Sequence, residues 1–169
     1  MFKRVVLFVL IVIGGALLAA VARASTQDVV PFAGYQPGTI VVKTHERRLY
    51  FVIDSSRALR FPVGVGKAGK TWTGRAIIDS KRVQPAWQAP PEIWGSRVGT
   101  PPIIPGGSPS NPMGEAALTM RGGEYAIHGT NNPASIGGFV SSGCIRMYNQ
   151  DIRALYQMVS VGTPVVVER

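Results

Sequence analysis

The sequence predicts a mainly β protein with one helix near its C-terminus, and three observations support this. Short runs rich in β-branched residues recur along the chain, for example at residues 39–43 and 49–53. Glycine and proline clusters separate such runs, as turns separate the strands of an all-β domain. Only residues 149–159 place apolar side chains at the spacing of a helical face. A chain of 169 residues suits one domain, in which we expect about seven to nine strands.

The first two strands form a predicted hairpin. Residues 39–43 and 49–53 flank the polar sequence Thr44-His45-Glu46-Arg47, which is typical of an exposed turn. His45 is therefore expected to be a solvated turn residue rather than a catalytic one. Further strands are predicted at residues 58–65, 75–83, 118–121, 125–128 and 163–168.

Glycines and lysines are frequent at the end of the strand predicted at residues 58–65 and directly after it, at Gly64, Gly66, Lys67, Gly69 and Lys70. Such a composition can indicate a phosphate-binding loop. Only two residues separate Gly66 from Gly69, however, and we expect a turn between strands instead.

Residues 84–112 form a long segment dense in proline, glycine and tryptophan. Proline fixes φ and removes a backbone donor, so regular structure is not expected here. Loops of this length in compact domains are usually functional or disordered. Trp87, Ile93 and Trp94 favour an ordered loop that walls a groove over a disordered insertion.

The helix predicted at residues 149–159 has recognisable ends. Asn149 is a suitable N-cap, and Asp151 lies in the first turn, where the helix dipole favours an anion. Gly162 is expected to end the helix.

Residues 1–24 have the features of a signal peptide. Lys3 and Arg4 precede an apolar run, and Ala22-Arg23-Ala24 offers small residues where a signal peptidase recognises them. We expect cleavage after Ala24. The alternative is an uncleaved membrane anchor, since the run approaches the ~20 residues of a membrane span. Either way we expect an exported protein, with a linker at residues 25–37 and one domain over residues 38–169.

The chain is strongly basic, with a formal net charge of +9. Three of its basic residues lie in the expected signal peptide, which leaves +6 on the remainder. A basic exported domain suits a polyanionic or carboxylate-rich partner such as a bacterial wall or an anionic membrane, although such a charge also serves solubility alone. Nucleic acid is not expected as a partner, because there is no basic helical stripe or aromatic–basic motif.

The only cysteine, Cys144, and one of the two histidines, His128, lie within residues 125–147. Exported cysteines are usually paired, so a lone one is either a buried small hydrophobe or a reactive thiol. The polar neighbours of Cys144 favour the reactive thiol. An imidazole can take the proton of a thiol or hold a thiolate–imidazolium pair, and we expect a lowered pKa for Cys144. A carbonyl in the turn after His128 could hold the other ring nitrogen.

The residues around Cys144 fit a carbonyl-attacking nucleophile. Gly143 permits a tight turn, and the amides of Gly143 and Cys144 could point at a developing oxyanion. Arg146 shares a strand face with Cys144 and is expected either to hold a substrate carboxylate or to form a structural ion pair. Ser141 and Ser142 are expected to bond either the substrate or the turn, with the turn favoured. One cysteine and two distant histidines give no plausible metal-ligand set, so neither a metal nor a cofactor is expected.

The strings IHGT, PASIG and SSGCIRM closely resemble the L,D-transpeptidase (YkuD-type) catalytic domain. The strings PVGVGK, TWTG, PAWQAPPEI, IPGG and NPMG upstream, and GTPVVV after the helix, follow the order of that family. The resemblance covers residues 39–168 and implies a single β-sandwich or barrel domain. Two residues depart from the pattern. Ser142 stands where many members have histidine, and Trp72 stands where members often have proline.

The resemblance implies acyl transfer on peptidoglycan stem peptides in the periplasm. By position, Cys144 corresponds to the nucleophile, His128 to the base and Gly129 to the orienting carbonyl, while the amides of Gly143 and Cys144 correspond to the oxyanion hole. The residues then expected to contact substrate are Arg146, Ser142, Ser141 and Thr130. Carbapenem-type β-lactams are implied as acylating agents of Cys144.

The sequence leaves the acyl acceptor open. It is an amine of a second stem peptide, an amine on an outer-membrane protein or lipoprotein, or water, which would make the enzyme an L,D-carboxypeptidase. A non-catalytic wall-binding module would need Arg146 but not Cys144 and His128 together. A thiol redox protein would usually carry a C-x-x-C pair, which is missing. We expect a monomer.

Overall fold

The computed structural model describes residues 27–95, 98–99, 102–122 and 124–169. The expected signal peptide and its cleavage site lie outside these residues. The strands are β1 (Asp28–Pro31), β2 (Ile40–Lys43), β3 (Arg48–Val52), β4 (Arg57–Pro62), β5 (Val65–Gly66), β6 (Gly74–Val83), β7 (Trp87–Gln88), β8 (Ile103–Ile104), β9 (Ala116–Met120), β10 (Ala126–His128), β11 (Phe139–Ser141), β12 (Ile145–Arg146) and β13 (Pro164–Glu168). The helices are α1 (Pro91–Trp94) and α2 (Asn149–Met158), and residues Pro133–Ser135 form a 3₁₀ turn. The predicted mainly β class is confirmed.

Nine of these strands form one sheet, in the order β1-β4-β3-β2-β13-β6-β9-β10-β12. The predicted hairpin is β2 with β3, and the strands predicted at residues 118–121 and 125–128 correspond to β9 and β10, which pair antiparallel. The closing strand β13 runs parallel to β2 and antiparallel to β6. It therefore joins the N-terminal hairpins to the strands β9, β10 and β12 within one sheet.

The central strands β2 and β13 are covered on both faces. Ile40, Val41 and Val42 are fully buried, although successive side chains point to opposite faces of a sheet. Continuous runs of Ile and Val are typical of strands with two covered faces. The sequences IVV at residues 40–42 and VVV at residues 165–167 therefore already indicate that both faces of these strands are covered.

Helix α2 covers one face of the sheet at strands β9 and β10. Its residues Ile152 and Leu155 are fully buried in the same apolar cluster as Leu118 and Ile127. The helix therefore fixes the strands that lead to His128.

No helix in the described part of the chain is long and apolar enough to cross a membrane.

The linker expected at residues 25–37 is wrong for its described part. Strand β1 pairs antiparallel with β4 and forms one edge of the sheet. Phe32 stacks on Tyr50 with ring centroids 4.4 Å apart and on Tyr35 at 5.4 Å. These rings cover the second face of the sheet, so this segment is part of the domain.

The ends of α2 differ from the prediction. Tyr148 occupies the N-cap position, and Asn149 is the first helical residue. Asp151 lies in the first turn, as predicted. The helix stops before Val159, and Gly162, with a φ of 92°, lies in the turn that leads to β13.

Residues 84–112 contain more regular structure than expected. Strand β7 pairs with β8, and α1 begins at Pro91, where a missing N–H costs no helical hydrogen bond. Asn111 is buried, and its amide connects the two ends of the segment. Its Nδ2 donates to the carbonyls of Pro85, Ile104 and Pro105.

The core assignment predicts the effect of truncating Phe61, which is fully buried in the main apolar cluster. Phe61→Ala should lower the free energy of unfolding by about 3–5 kcal/mol, because it removes apolar contacts and leaves a cavity. Urea denaturation measures this. The control is Val83→Ala on β6, whose side chain is 68% exposed and should change the value by less than about 0.5 kcal/mol. Equal losses in both variants would contradict the assigned core.

Candidate active site

Two neighbouring strands carry the predicted imidazole and thiol. His128 is the last residue of β10, and Cys144 lies directly before β12. These strands pair in parallel, with Ile127 opposite Ile145 and His128 opposite Arg146. His128, Cys144 and Arg146 line one cavity of about 590 Å³. The sheet thus brings together the three residues that the sequence singled out for chemistry and charge.

Several loops wall this cavity. The segment 84–112 contributes to the wall, which confirms the expectation that it borders the groove. Its lining residues are Trp87, Pro90, Ile93 and Pro112. Glu124 and Tyr125, from the turn before β10, line the cavity as well.

The glycine–lysine turn also belongs to the cavity wall, through Gly69, Lys70 and Thr71. Counted from Gly64, the sequence through Thr71 does have the glycine–lysine–threonine spacing of a P-loop. A P-loop is followed by a helix whose N-terminal amides face the phosphate. The element that follows here is strand β6. The local structure therefore does not support a phosphate site, and the turn instead adds a basic residue to the cavity.

His128 is buried and oriented by its neighbour. Its side chain is 4% exposed, and Nδ1 lies 2.6 Å from the carbonyl oxygen of Gly129. Because a carbonyl only accepts, we assign the proton of the neutral ring to Nδ1. Burial is the main cause that lowers the pKa of His128 to about 4; the carbonyls of Gly129 and Pro112 oppose the shift, and the charge of Arg146 adds to it. The imidazole is therefore neutral at neutral pH.

The lowered pKa expected for Cys144 is wrong. Burial raises the pKa of the thiol above its ordinary value, and the backbone of Ala126 and the charge of Arg146 offset this only in part. A thiolate loses hydration in such a site, which favours the protonated form. The resting pair is therefore a neutral thiol with a neutral imidazole rather than a thiolate with an imidazolium.

Ser141 holds the turn that presents the thiol. Its hydroxyl donates to the Cys144 carbonyl at 2.6 Å and accepts from the Gly143 amide at 3.1 Å. The Gly143 amide, which was expected to face an oxyanion, is therefore already engaged. The Cys144 amide, by contrast, donates to no acceptor among the described residues.

Only glycine fits at position 143. Its φ is +129°, a conformation that other residues rarely adopt. A Cβ atom there would also lie 2.2 Å from Cε1 of Tyr125. The tight turn predicted before the thiol is present, and an aromatic ring packs against it.

Arg146 and Ser142 both line the cavity. Ser142 is exposed and accessible to a bound molecule. Arg146 is half-buried, forms no ion pair with a described residue, and has a buried Nε without a hydrogen-bond partner. The structural ion pair considered for Arg146 is therefore not found in the described part of the chain.

Thr130 does not line the cavity, in contrast to its predicted contact with substrate. It is 2% exposed, and its Oγ1 accepts from the Asn132 amide at 3.0 Å. The hydroxyl is thus used inside the turn that follows His128.

Sequence reasoning missed the role of Asn149. Its Oδ1 accepts from the amides of Glu115 at 3.2 Å and Thr130 at 3.0 Å. A Cβ atom on Gly129 would lie 2.2 Å from this oxygen, so the chain passes very close to it. Asn149 therefore fixes the turn whose Gly129 carbonyl holds His128. Its position after SSGCIRM is the one signal in the sequence for this role, whereas its residue type alone predicts a helix cap.

A metal site is not evident in the residues that the structure describes. Among them, no group of three or more His, Cys, Asp or Glu side chains is arranged to hold a metal ion. The polar side chains that line the cavity include the thiol of Cys144, the imidazole of His128, the cations of Arg146 and Lys70, the carboxylate of Glu124 and the hydroxyl of Ser142.

Comparison with known sequences gives a match over most of the chain. The YkuD family, described as the L,D-transpeptidase catalytic domain, matches residues 37–167. The probable L,D-transpeptidase ErfK/SrfK of Escherichia coli (strain K12) is 39% identical over 156 residues, which is 85% of this chain and 49% of that protein. The chain spans about half the length of the curated relatives it matches.

Solved structures of low sequence identity share the fold. L,D-transpeptidase 3 from Mycobacterium tuberculosis, in complex with a faropenem-derived adduct, has a TM-score of 0.62 at 18% identity, over 78% of this chain and 60% of that one. The catalytic domain of an Enterococcus faecium L,D-transpeptidase acylated by ertapenem has a TM-score of 0.57 at 21% identity, over 80% of this chain and 99% of that one.

The buried neutral His128 predicts a dependence of stability on pH. The unfolded chain binds a proton at this residue near pH 6.5, whereas the folded chain does so only near pH 4. Stability should therefore be fully present above pH 6.5 and fall by roughly 3 kcal/mol as the pH drops to 4. Urea denaturation at a series of pH values should show a smaller loss over this range in His128→Gln than in the unsubstituted protein.

The matched control for this prediction is His45→Gln, because His45 lies exposed in the first hairpin turn. This variant should keep the full loss of stability on acidification. A pH dependence that is the same in all three proteins would show that His128 is not held neutral by burial.

Proposed function

The chain belongs to the L,D-transpeptidase (YkuD) catalytic-domain family, and from this premise we propose that it is a peptidoglycan L,D-transpeptidase in which Cys144 is the nucleophile and His128 the base. The observation that carries the proposal is that the only cysteine and a buried, oriented histidine line one cavity from adjacent strands. The proposed catalytic domain covers residues 38–169 together with the β1 segment, and residues 1–24 are a signal peptide that sends it to the periplasm.

The acylation step follows from the neutral resting pair. The sulfur of Cys144 attacks the carbonyl carbon of the third stem residue, diaminopimelate, while His128 takes the thiol proton. The tetrahedral intermediate carries a negative oxygen. It collapses with cleavage of the bond to terminal D-alanine, whose amine leaves with the proton from His128. A thioester between the stem peptide and Cys144 remains.

The second half-reaction transfers the stem peptide. An acceptor amine attacks the thioester while His128 takes the amine proton, and the thiolate leaves and is protonated again. An amine of a second stem peptide would give a crosslink between two third residues. An amine on an outer-membrane protein or lipoprotein would attach that protein to the wall, and water would give L,D-carboxypeptidase activity.

The developing oxyanion is stabilised by the Cys144 amide. That N–H has no acceptor among the described residues, whereas the Gly143 amide is bonded to Ser141. A preorganised donor of this kind typically lowers a barrier by about 2.7–4 kcal/mol. Of the two amides expected to face the oxyanion, we therefore propose only that of Cys144 as the donor, and Gly143 permits the turn.

Arg146 is the proposed site for a substrate carboxylate. Its buried Nε has no partner, and an unsatisfied buried donor costs free energy until a ligand satisfies it. Lys70 on the facing turn adds positive charge to the same cavity. Ser142 is exposed at the cavity and able to bond the stem. Ser141 also lines the cavity, but its hydroxyl is engaged in the turn, and Thr130 acts only through the turn it holds.

A wall-binding module without catalysis is the second candidate function. The free guanidinium donor of Arg146 and the basic cavity would serve such a module equally well. It would not require the hydrogen bond that orients the His128 ring in a cavity also lined by a lone thiol.

Mass spectrometry of stem peptides separates the two functions. We incubate the protein with tetrapeptide stems and with candidate amine acceptors, and expect loss of D-alanine and a thioester adduct on the peptide that contains Cys144. Cys144→Ala should abolish adduct and product, and His128→Gln should lower the rate by about 10²–10⁴-fold. His45→Gln should match the unsubstituted protein.

Two outcomes of this experiment oppose the enzyme. Product formation that persists in Cys144→Ala would remove the thiol mechanism. Binding of stems without any product from any acceptor, including water, would favour the wall-binding module. Because structures of the same fold carry ertapenem or faropenem-derived adducts, acylation by ertapenem is a second readout, with the added mass expected on Cys144.

The carboxylate role of Arg146 predicts the behaviour of an amidated substrate. If Arg146 binds the terminal D-alanine carboxylate, amidation of that group should raise KM for the unsubstituted protein by about 10- to 150-fold, the range of a hydrogen bond to a charged group. Arg146→Gln should raise KM for the acid form similarly and leave little difference between acid and amide. The control Arg153→Gln, on the exposed side of α2, should keep the full difference. A discrimination unchanged in Arg146→Gln would assign the carboxylate to another residue.

A further inference from the structure

Trp72, which departs from the family pattern, contacts the turn that carries the nucleophile. Its indole Nε1–H donates to the carbonyl oxygen of Gly143 at 3.1 Å. Its ring stacks on Tyr125, with centroids 4.9 Å apart and planes 9° from parallel. Trp72 lies two residues before β6 and is far from Gly143 in sequence, so the contact is tertiary and not a product of the local turn.

The aromatic pair and Ser141 together fix most of the polar groups in this turn. Tyr125 packs directly against Gly143, and Trp72 holds its carbonyl. The Ser141 hydroxyl engages the Gly143 amide and the Cys144 carbonyl. The amide and carbonyl of Gly143 and the carbonyl of Cys144 all have hydrogen-bond partners. The Cys144 N–H is the one group of the four without a partner among the described residues.

The geometry of a peptide unit connects Trp72 to that N–H. The Gly143 carbonyl and the Cys144 amide belong to the same planar trans peptide, in which C=O and N–H point in opposite directions. A donor that holds the carbonyl on one side therefore fixes the direction of the N–H on the other. Glycine at position 143 makes this peptide unusually free to rotate, so its orientation needs an external restraint.

We infer that Trp72 is a positioning residue that aims the Cys144 amide at the oxyanion formed when Cys144 attacks a carbonyl. The inference rests on the proposed function. Without the indole donor the peptide can rotate, and its carbonyl oxygen would then face the developing negative charge instead of the N–H. Trp72 does not touch the reacting atoms, and it acts through the Gly143–Cys144 peptide.

The experiment compares two reactions of the same thiol. Acylation by ertapenem passes through an oxyanion, whereas alkylation by iodoacetamide displaces iodide and forms none. In Trp72→Phe, which keeps a ring to stack on Tyr125 but has no N–H, acylation should slow by roughly tenfold. That is less than the 10²–10³ typical of a deleted oxyanion donor, because the donor is still present. Alkylation should stay within about twofold.

Two further variants separate the loss of the N–H from other effects of the substitution. Replacement of Trp72 with benzothienylalanine preserves the size and stacking of the indole and removes only its N–H, so it should show the same selective loss even if Trp72→Phe folds poorly. Tyr35→Phe is the matched control. It removes one aromatic hydrogen bond, the one from Tyr35 to Glu168 on the covered sheet face, and should leave both rates unchanged.

The outcomes separate this inference from the proposed function. If acylation in Trp72→Phe and in the benzothienylalanine protein equals that of the unsubstituted protein, the inference is wrong while the enzyme stands. A parallel loss of acylation and alkylation would assign Trp72 a structural role and also overturn it. If the unsubstituted protein is not acylated at all, the proposed function fails, and the inference fails with it.

Discussion

The parallel pairing of β10 with β12 is the constraint on which the site depends. The Met147 amide donates to the His128 carbonyl at 2.8 Å, so the strand after the thiol is bonded directly to the residue that carries the imidazole. On its other side, Arg146 exchanges two backbone hydrogen bonds with Gly64, at 2.8 and 2.9 Å. A Cβ on Gly64 would lie 2.7 Å from the Ser135 carbonyl, which shows how closely the neighbouring turn packs there. The backbone, more than any side chain, brings His128 and Cys144 to the same cavity.

Close packing at two glycines then fixes the turns next to His128 and Cys144. Gly129 admits the Asn149 oxygen beside the histidine turn, and Gly143 admits the Tyr125 ring beside the cysteine turn. A methyl group at either position would force the partner away, since well-packed interiors yield little to added atoms. His128 and Cys144 are thus each adjacent to a glycine. At each glycine, a side chain from a distant part of the chain occupies the space that a Cβ atom would take.

The sequence predicted those features that are local. Runs of Ile and Val mark β2 and β13, the apolar spacing marks α2, and the string around Cys144 marks the turn and its likeness to a family. The features it did not predict depend on contacts between distant segments. The β1 segment looked like a linker because its partner β4 is remote in sequence, and Asn149 looked like a cap because the amides it accepts lie on other loops. The direction of the pKa shift of Cys144 depends on burial, which a sequence string does not contain.

His128 is buried and Cys144 is half-buried, and in both cases loss of hydration shifts the pKa toward the neutral form. A neutral thiol is less easily oxidised than a thiolate, which suits a lone cysteine in the exported setting that we propose. The same burial makes His128 a weak base, so proton transfer from the thiol is uphill in the resting site. The charge of Arg146 favours the thiolate but opposes the imidazolium, and it cannot offset the whole cost. In the mechanism proposed above, stabilisation then comes at the moment of attack, from a donor already aimed at the new oxyanion. Under that proposal, a site with a neutral resting pair depends more on the orientation of the Gly143–Cys144 peptide than a preformed ion pair would.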